Sequence, residues 1–394
     1  MNPALLSNLK NPKKLRPNHK YLSYDHFLNQ RIDSTVKIDF GLMYQSITSQ
    51  TSNAYENSYG VNLAYLAFSF PLSKTWGTSI GIRPFSTVNY NLNYTSPVVG
   101  KPDVTSTNVA KGRGGIYKMY WANGFGLTKN LSCGIETAYL FGNVNEEITS
   151  TLSDFSVNAF GFQKQYIYSA YNLKPGIVFR KEIVKSYRDT LLVADSNGLK
   201  TIPKVTKMTK SSGVFYNFGL TYDYYSTLNL SRNVDLFILN STQNITAKDT
   251  TIEKSTSKAK LPPSIKLGFS IDKPMKWSVS ADVFYAGWSV YNSVYNSDKL
   301  VNSYGINIGG EFTPGQLKLR SKTFRAGFSF VKTPISINGE QIEDVSVSIG
   351  GTIPFGRRNP TAPVIPRVNV ALVAGQRGDV TSIGLREQYL KVYF

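Results

Sequence analysis

Val345-Ser346-Val347-Ser348-Ile349-Gly350-Gly351-Thr352-Ile353 alternates without a break, with Val, Val, Ile, Gly and Ile on one side and Ser, Ser, Gly and Thr on the other. Successive side chains of a strand point to opposite faces, so this stretch makes a ribbon with one apolar and one polar surface. Outward from it, the same alternation returns in about fourteen stretches, and no stretch reads as a long helix. The first is near 34–47, with Val36, Ile38, Phe40, Leu42 and Tyr44 on the apolar side. The others are expected near 57–71, 76–94, 108–127, 131–150, 160–180, 212–230, 262–272, 275–290, 301–313, 322–335, 343–355, 367–376 and 384–394. An even number of such strands, closed on itself, is the pattern of a membrane barrel whose outside meets lipid and whose inside meets water. The expected fold class is therefore all-β, an antiparallel transmembrane β-barrel of about 14 strands over 34–394. A basic, non-alternating segment at 1–33 precedes it.

Composition agrees. The chain has 394 residues, a mean hydropathy of -0.21, and no run of 18 apolar residues to cross a bilayer as a helix. Its 25 Tyr, 22 Phe and 4 Trp fit the aromatic girdles of outer-membrane barrels. The soluble competitor is a secreted array of β-sandwiches. A single cysteine, Cys133, excludes an internal disulfide framework and falls on the apolar face of Leu131-Cys133-Ile135-Thr137-Tyr139. Met1-Asn2-Pro3-Ala4-Leu5 lacks the apolar core of a secretory signal, so the barrel reading implies that a signal has been removed.

Connections alternate in length. Pro71 to Trp76, Leu127 to Leu131 and Asp272 to Lys276 are short, whereas 229–261 reads as a long polar loop. Short turns are periplasmic in bacterial barrels, which places both chain ends there. Residues 181–211 break the rule by being long on the short-turn side, and Tyr187 to Lys204 reads as a hairpin around Asp195-Ser196-Asn197-Gly198. The formal net charge of +19 gathers on the predicted periplasmic parts: 1–33 holds six Lys/Arg against two Asp, and 181–211 seven Lys/Arg against three acids. Anionic inner-leaflet headgroups or an acidic partner suit that placement. Nucleic acid does not, because the basic residues are scattered over separate turns.

No catalytic or metal-binding constellation is present in the sequence. His19 and His26 are seven apart with no third ligand, and Gly305-Ile306-Asn307-Ile308-Gly309-Gly310 precedes no helix that could cradle a phosphate. A non-enzyme without cofactor or metal is expected. The polar stripe places Lys37, Asp39, Arg83, Glu136, Lys174, Arg180, Asp223, Lys266, Asp282 and Arg325 toward the lumen. Opposite charges there should pair, since isolated charges away from water are costly. Fourteen strands enclose more space than side chains fill, so 1–33 is the natural plug. Pro84 and Pro175 lie inside strands, where each marks a bulge or a gap in the wall.

Three stretches together resemble the long-chain fatty-acid transporter (FadL) family of outer-membrane proteins, in the form common in Bacteroidota. These are Asn2-Pro3-Ala4-Leu5-Leu6, the run YLAFSFPLSKTWGTSIGIRPFSTVNY at 65–90, and GLREQYLKVYF at 384–394. The resemblance implies a hatch in the lumen that includes Asn2, Pro3 and Ala4. It implies hydrophobic solutes leaving sideways through a kink in strand three, where Arg83, Pro84 and Phe85 frame the candidate opening. The implied partners are outer-membrane lipids and hydrophobic small molecules, and the implied location is the bacterial outer membrane. Related barrels also serve as accessory subunits of large outer-membrane machines, including the type 9 secretion system. The 181–211 stretch departs from the family pattern and suits that alternative: a non-transporting subunit of a protein-secretion or barrel-assembly complex, docked through this stretch to other outer-membrane or periplasmic proteins.

Overall fold

A computed structural model describes residues 36–394 apart from 53–54, 74, 154–158, 195–200, 240–244, 275, 293–298, 315–321 and 356–365. The segment 1–33, expected as a plug, lies outside the described residues.

Sixteen strands form one antiparallel sheet. The first six are β1 (Lys37–Thr51), β2 (Tyr55–Pro71), β3 (Trp76–Val98), β4 (Lys101–Gly126), β5 (Leu131–Leu152) and β6 (Ala159–Ala194). Then come β7 (Thr201–Asp223), β8 (Ser226–Leu239), β9 (Ile245–Leu261), β10 (Ser264–Lys273) and β11 (Trp277–Ala286). The last are β12 (Ser303–Phe312), β13 (Thr323–Ile337), β14 (Glu340–Pro354), β15 (Arg367–Asp379) and β16 (Leu385–Tyr393). The ring closes where β1 meets β16, from Met43↔Tyr393 to Thr51↔Leu385, and Leu42 and Phe394 exchange backbone hydrogen bonds at 3.1 and 3.0 Å.

Fourteen strands make the wall, because β8 and β9 are not separate staves. β7 pairs with the lower half of β6 (176–194) and β8 with its upper half (159–169), so β7 and β8 run as one line broken at Tyr224-Tyr225. β9 and β10 do the same across Pro262-Pro263. The region 229–261, expected as a loop, is thus mostly a hairpin that prolongs the wall; its alternation is too polar to read from sequence. β6 and β7 also continue below the barrel as a two-stranded ribbon, paired from Val184↔Ser211 to Ala194↔Thr201. Backbone pairing therefore builds the hairpin that Asn197-Gly198 suggests, although its tip lies outside the described residues.

The wall is lopsided. β3 to β6 have 22 to 36 residues, whereas β10 to β12 have 10 each. On the tall side the binary pattern reverses. Ile135, Tyr139, Met119, Trp121, Tyr171, Ile177, Leu220 and Phe218 lie exposed on the outer face, opposite buried Ser132, Glu136, Lys118, Ala122 and Thr221. Farther from the short turns, the apolar side turns inward: Ile116, Leu140, Ala170, Leu228, Ala259 and Leu261 form a buried cluster packed by Tyr168 and Tyr291. The outer positions there are Asn143, Arg113, Lys111, Thr227 and Asn229. An outward apolar face is stable only in lipid and an outward polar face only in water, so the reversal marks the bilayer's outer boundary. The span from Leu131 to Phe141 matches the roughly 9–11 residues a tilted strand needs to cross.

Aromatic side chains ring both boundaries. Trp76 stacks on Phe125 (5.6 Å between centroids) at the turn end. Tyr117, Phe141, Tyr139 and Tyr171 follow one another at 5.1 to 6.3 Å at the other. A crease follows that outer boundary. β3 bulges between Pro84 and Ser86, Gly114 and Gly142 have φ of 125° and 154°, and β7/β8 and β9/β10 break at Tyr224-Tyr225 and Pro262-Pro263.

Candidate functional site

Two features sit at the crease: a band of charge across the lumen and a split in the wall. Glu136 of β5, 3% exposed, accepts from the Lys118 ammonium of β4 at 2.7 Å and the Arg83 guanidinium of β3 at 3.5 Å. Lys118 also donates to Asn172 Oδ1 (2.9 Å), and Asn172 Nδ2 reaches Ser226 Oγ (3.4 Å). One step around the wall, Lys174 pairs with Asp223 at 3.0 Å, and Ser264 donates to the same carboxylate at 3.0 Å. These groups lie directly beneath the apolar cluster. Burial of Tyr168 within that cluster pushes its hydroxyl pKa well above the ordinary phenol value, with the neighbouring Tyr291 adding to the shift.

The remaining inward charges are spread along the lumen. Arg180 pairs with Asp272 (3.0 Å) near the base and covers the Phe215 ring. Arg325 pairs with Glu311 (2.8 Å) and donates to Thr352 (2.7 Å). Tyr65 donates to Asp39 (3.0 Å). Lys37, Lys266 and Asp282 have no ion pair among the described residues, and the last two line a lumenal cavity of about 620 Å³ beside Phe284. Sequence reasoning did not single out Lys118, the closest partner of Glu136, nor a second network in which Arg377 bridges Asp344 (2.9 Å) and Glu387 (3.1 Å). The signal for Lys118 is present: counting by twos from Ala122 along β4 puts it on the inward face, hidden by its flanking Tyr117 and Met119.

The split lies between β2 and β3. Their ladder runs from Pro71↔Gly77 to Leu66↔Ile82 and stops there. Both strands continue, β2 back to Tyr55 and β3 on to Val98, but among the described residues no ladder pair joins 55–65 to 83–98. Asn89 alone reaches over, to Tyr59 O (3.4 Å) and Ser58 Oγ (3.5 Å). At the strand-three kink expected around Arg83, Pro84 and Phe85 the wall opens on one side only: β3 remains paired with β4 on both sides of the bulge. Pro84 occupies the first turnings of the split, and Phe85 is the extra residue of the bulge, 44% exposed. Arg83 is turned inward over the Tyr120 ring at 5.5 Å.

Pro175 marks a smaller gap. Tyr224 N donates to Leu173 O (3.0 Å), so position 175, two residues on, faces the same neighbour. Between Ser169↔Asn229 and Gly176↔Thr221 that neighbour supplies no ladder, and the donor proline lacks is not needed. Among the described residues, no group of three His, Cys, Asp or Glu is placed to hold a metal ion.

Solved structures share this architecture. A Pseudomonas putida toluene transporter, TodX, is similar over 91% of this chain and 87% of its own, with 14% identity and a TM-score of 0.52. A Ralstonia pickettii toluene transporter, TbuX, gives 91%, 87%, 11% and 0.51. A Pseudomonas aeruginosa FadL homologue covers 100% of this chain and 97% of its own, with 10% identity and a TM-score of 0.50. At these identities the likeness establishes the FadL-type barrel fold. No curated protein sequence matches the chain. The BamG family model matches residues 2–394, nearly the whole length, and the chain belongs to the BamG family.

Proposed function

We propose that the protein is an outer-membrane channel for hydrophobic compounds, with a lateral exit between β2 and β3. The observation that carries this reading is the loss of β2–β3 pairing beyond Leu66↔Ile82 while both strands continue. Lipid offers no hydrogen-bond partners, so an unpaired seam at the bilayer edge needs contact with water or the lumen. A seam of that kind is also a side door. It starts at the crease, at the bilayer's edge, and runs on past the apolar cluster Ile116, Leu140, Ala170, Leu228, Ala259 and Leu261, which gives an apolar solute somewhere to rest above the charged band before it leaves at that edge. Phe85 supplies a greasy contact at the door, and Arg83 a polar anchor for a carboxylate. In this reading residues 1–33, with Asn2, Pro3 and Ala4, plug the lumen below.

Cross-linking the seam tests the exit. Ser58→Cys with Asn89→Cys, in a Cys133→Ser background, places thiols where side chains already approach. Oxidation should cut uptake of a labelled fatty acid or of toluene severalfold, and reduction should restore it. Uptake that ignores the cross-link would dispose of the lateral path.

A second reading is a non-transporting subunit of a large outer-membrane complex, such as protein-secretion or barrel-assembly machinery. The β6–β7 ribbon favours it, because it reaches below the wall where a periplasmic partner could bind. On this reading, removing 185–210 behind a short turn should strip copurifying proteins from a mild-detergent pull-down, and the intact protein alone in liposomes should give no uptake of a labelled fatty acid or of toluene.

A further inference from the structure

The outer face of β9 carries three exposed lysines in one line, Lys254, Lys258 and Lys260, with Thr256 between them. The opposite face of the same strand holds Glu253, Ser255, Ser257 and the buried Ala259 and Leu261. Two of the inward lysines are partnered, Lys118 by Glu136 and Lys174 by Asp223. The β9 lysines make no ion pair among the described residues. The residues opposite them on β8 are neutral: Thr227 faces Lys260, Asn229 faces Lys258 and Asn233 faces Lys254. The next strand continues the neutral surface, with Ser169 opposite Asn229 and Gln165 opposite Asn233. β9 is also the last strand of the sheet, with no ladder partner on its other side among the described residues. Positive charge is thus concentrated on one exposed strip, with Asp235 two residues beyond Asn233 as the nearest acid on that face of β8.

Height identifies what the strip meets. Lys260 stands two residues beyond Pro262, and its partner Thr227 two residues beyond the exposed Tyr225. Those residues lie on the crease where the apolar face turns inward, so the first lysine clears the hydrocarbon and the row climbs away from it. At roughly 3.3 Å per residue, the six residues extend about 20 Å along the strand, so the row starts in the headgroup layer and continues beyond it. Lysine is a compact, strongly hydrated charge suited to phosphate in such a layer.

We infer that Lys254, Lys258 and Lys260 form a docking strip for the phosphates of a phosphorylated glycolipid in the outer leaflet. The strip holds the tall side of the wall against the membrane surface. It is separate from the lumen and the seam, so its failure would leave the channel reading standing.

The test compares the wild type with Lys254→Gln/Lys258→Gln/Lys260→Gln, which keeps length and removes charge on a water-facing surface. Heat-modifiable gel migration confirms that both are folded. Each protein is reconstituted in phosphatidylcholine nanodiscs doped with bisphosphorylated lipid A, or with the same lipid freed of its phosphates, and bound lipid is counted by native mass spectrometry. An anionic surface is worth about fivefold per nearby lysine, so the triple variant should retain lipid A at least about tenfold less well. The wild type should prefer the phosphorylated form, and added salt should weaken that preference. Equal retention by the two proteins would overturn the proposal, as would indifference to the lipid's phosphates. Displacement by inorganic phosphate at ordinary buffer strength would assign the strip to the free ion instead. Unchanged lipid retention with loss of a copurifying acidic protein would assign it to a protein surface.

Discussion

At the scale of single residues, the wall separates charges that matter from charges that do not. Glu136 is almost fully enclosed between Lys118 and Arg83, whereas Glu311 and Arg325 pair with about two-fifths of each side chain still exposed. Removing one partner of a buried pair leaves an uncompensated charge and costs about 3–5 kcal/mol. Exposed pairs contribute about 0–1 kcal/mol. Glu136→Ala should therefore lower the urea midpoint of the barrel in lipid vesicles far more than Glu311→Ala, and a similar loss from both would mean that water reaches Glu136. The same logic fixes the register. Val347 is 57% exposed on the lipid side, while Ser348 sits against Gly327 on the lumen side. An arginine on the lipid face near the midplane costs about 2–4 kcal/mol. Val347→Arg should reduce the assembled, heat-modifiable fraction, and Ser348→Arg should leave most of it. Equal assembly would move the strand by one residue, since such a slip exchanges its faces.

At the scale of elements, the crease decides what could be read from the chain. β14 was legible because its alternation is clean from Val345 to Ile353, and so were the other strands that cross lipid. β9 was not, because ITAKDTTIEKSTSKAKL has too few apolar residues for either face to stand out, and its strand form comes from pairing with β8. Pro84 announced a disturbed ladder through its missing donor. It could not say that β2 rather than β4 would let go, because that depends on which neighbour the bulge presses. The bulge presses β4: a Cβ on Gly115 would lie 2.4 Å from Ser86 O. Among the inward charges, the pairing of Lys174 with Asp223 was implicit in the polar stripe, but the choice of Lys118 for Glu136 needed the three-dimensional arrangement. Gly114 and Gly142 complete the crease, each so close to the facing strand that a Cβ would lie 2.2 or 2.1 Å from a carbonyl oxygen. Both also hold positive φ, where a side chain adds about 1–3 kcal/mol of strain. Gly142→Ala should slow barrel assembly and lower thermal stability. Gly310→Ala, whose Cβ would meet only Ser278 O at 3.4 Å, should behave like wild type.

At the scale of the whole molecule, the wall is two structures sharing strands. The lower ring closes through β6–β7, β7–β10 and β10–β11, without help from β8 or β9. The upper part is a water-facing sheet with its own apolar interior, to which β8 and β9 give Leu228, Ala259 and Leu261. If the parts are energetically separate, replacing 226–261 by a short Asn-Gly turn should still yield a folded, heat-modifiable barrel, because every ladder in the bilayer survives. What should change is access. Half of the apolar cluster disappears, leaving Ile116, Leu140 and Ala170 facing an open mouth, and the band of Lys118, Glu136 and Arg83 becomes the first barrier from outside. Planar-bilayer conductance then locates the remaining seal. Truncation alone should raise conductance modestly if residues 1–33 plug the lumen below, and combining it with deletion of 1–30 should raise it much further. If truncation alone opens a large, steady conductance, the apolar cluster is the seal and the N-terminal segment is not. If the truncated chain fails to assemble at all, the tall sheet is part of the folding unit of the ring, and the boundary at the crease divides polarity without dividing stability.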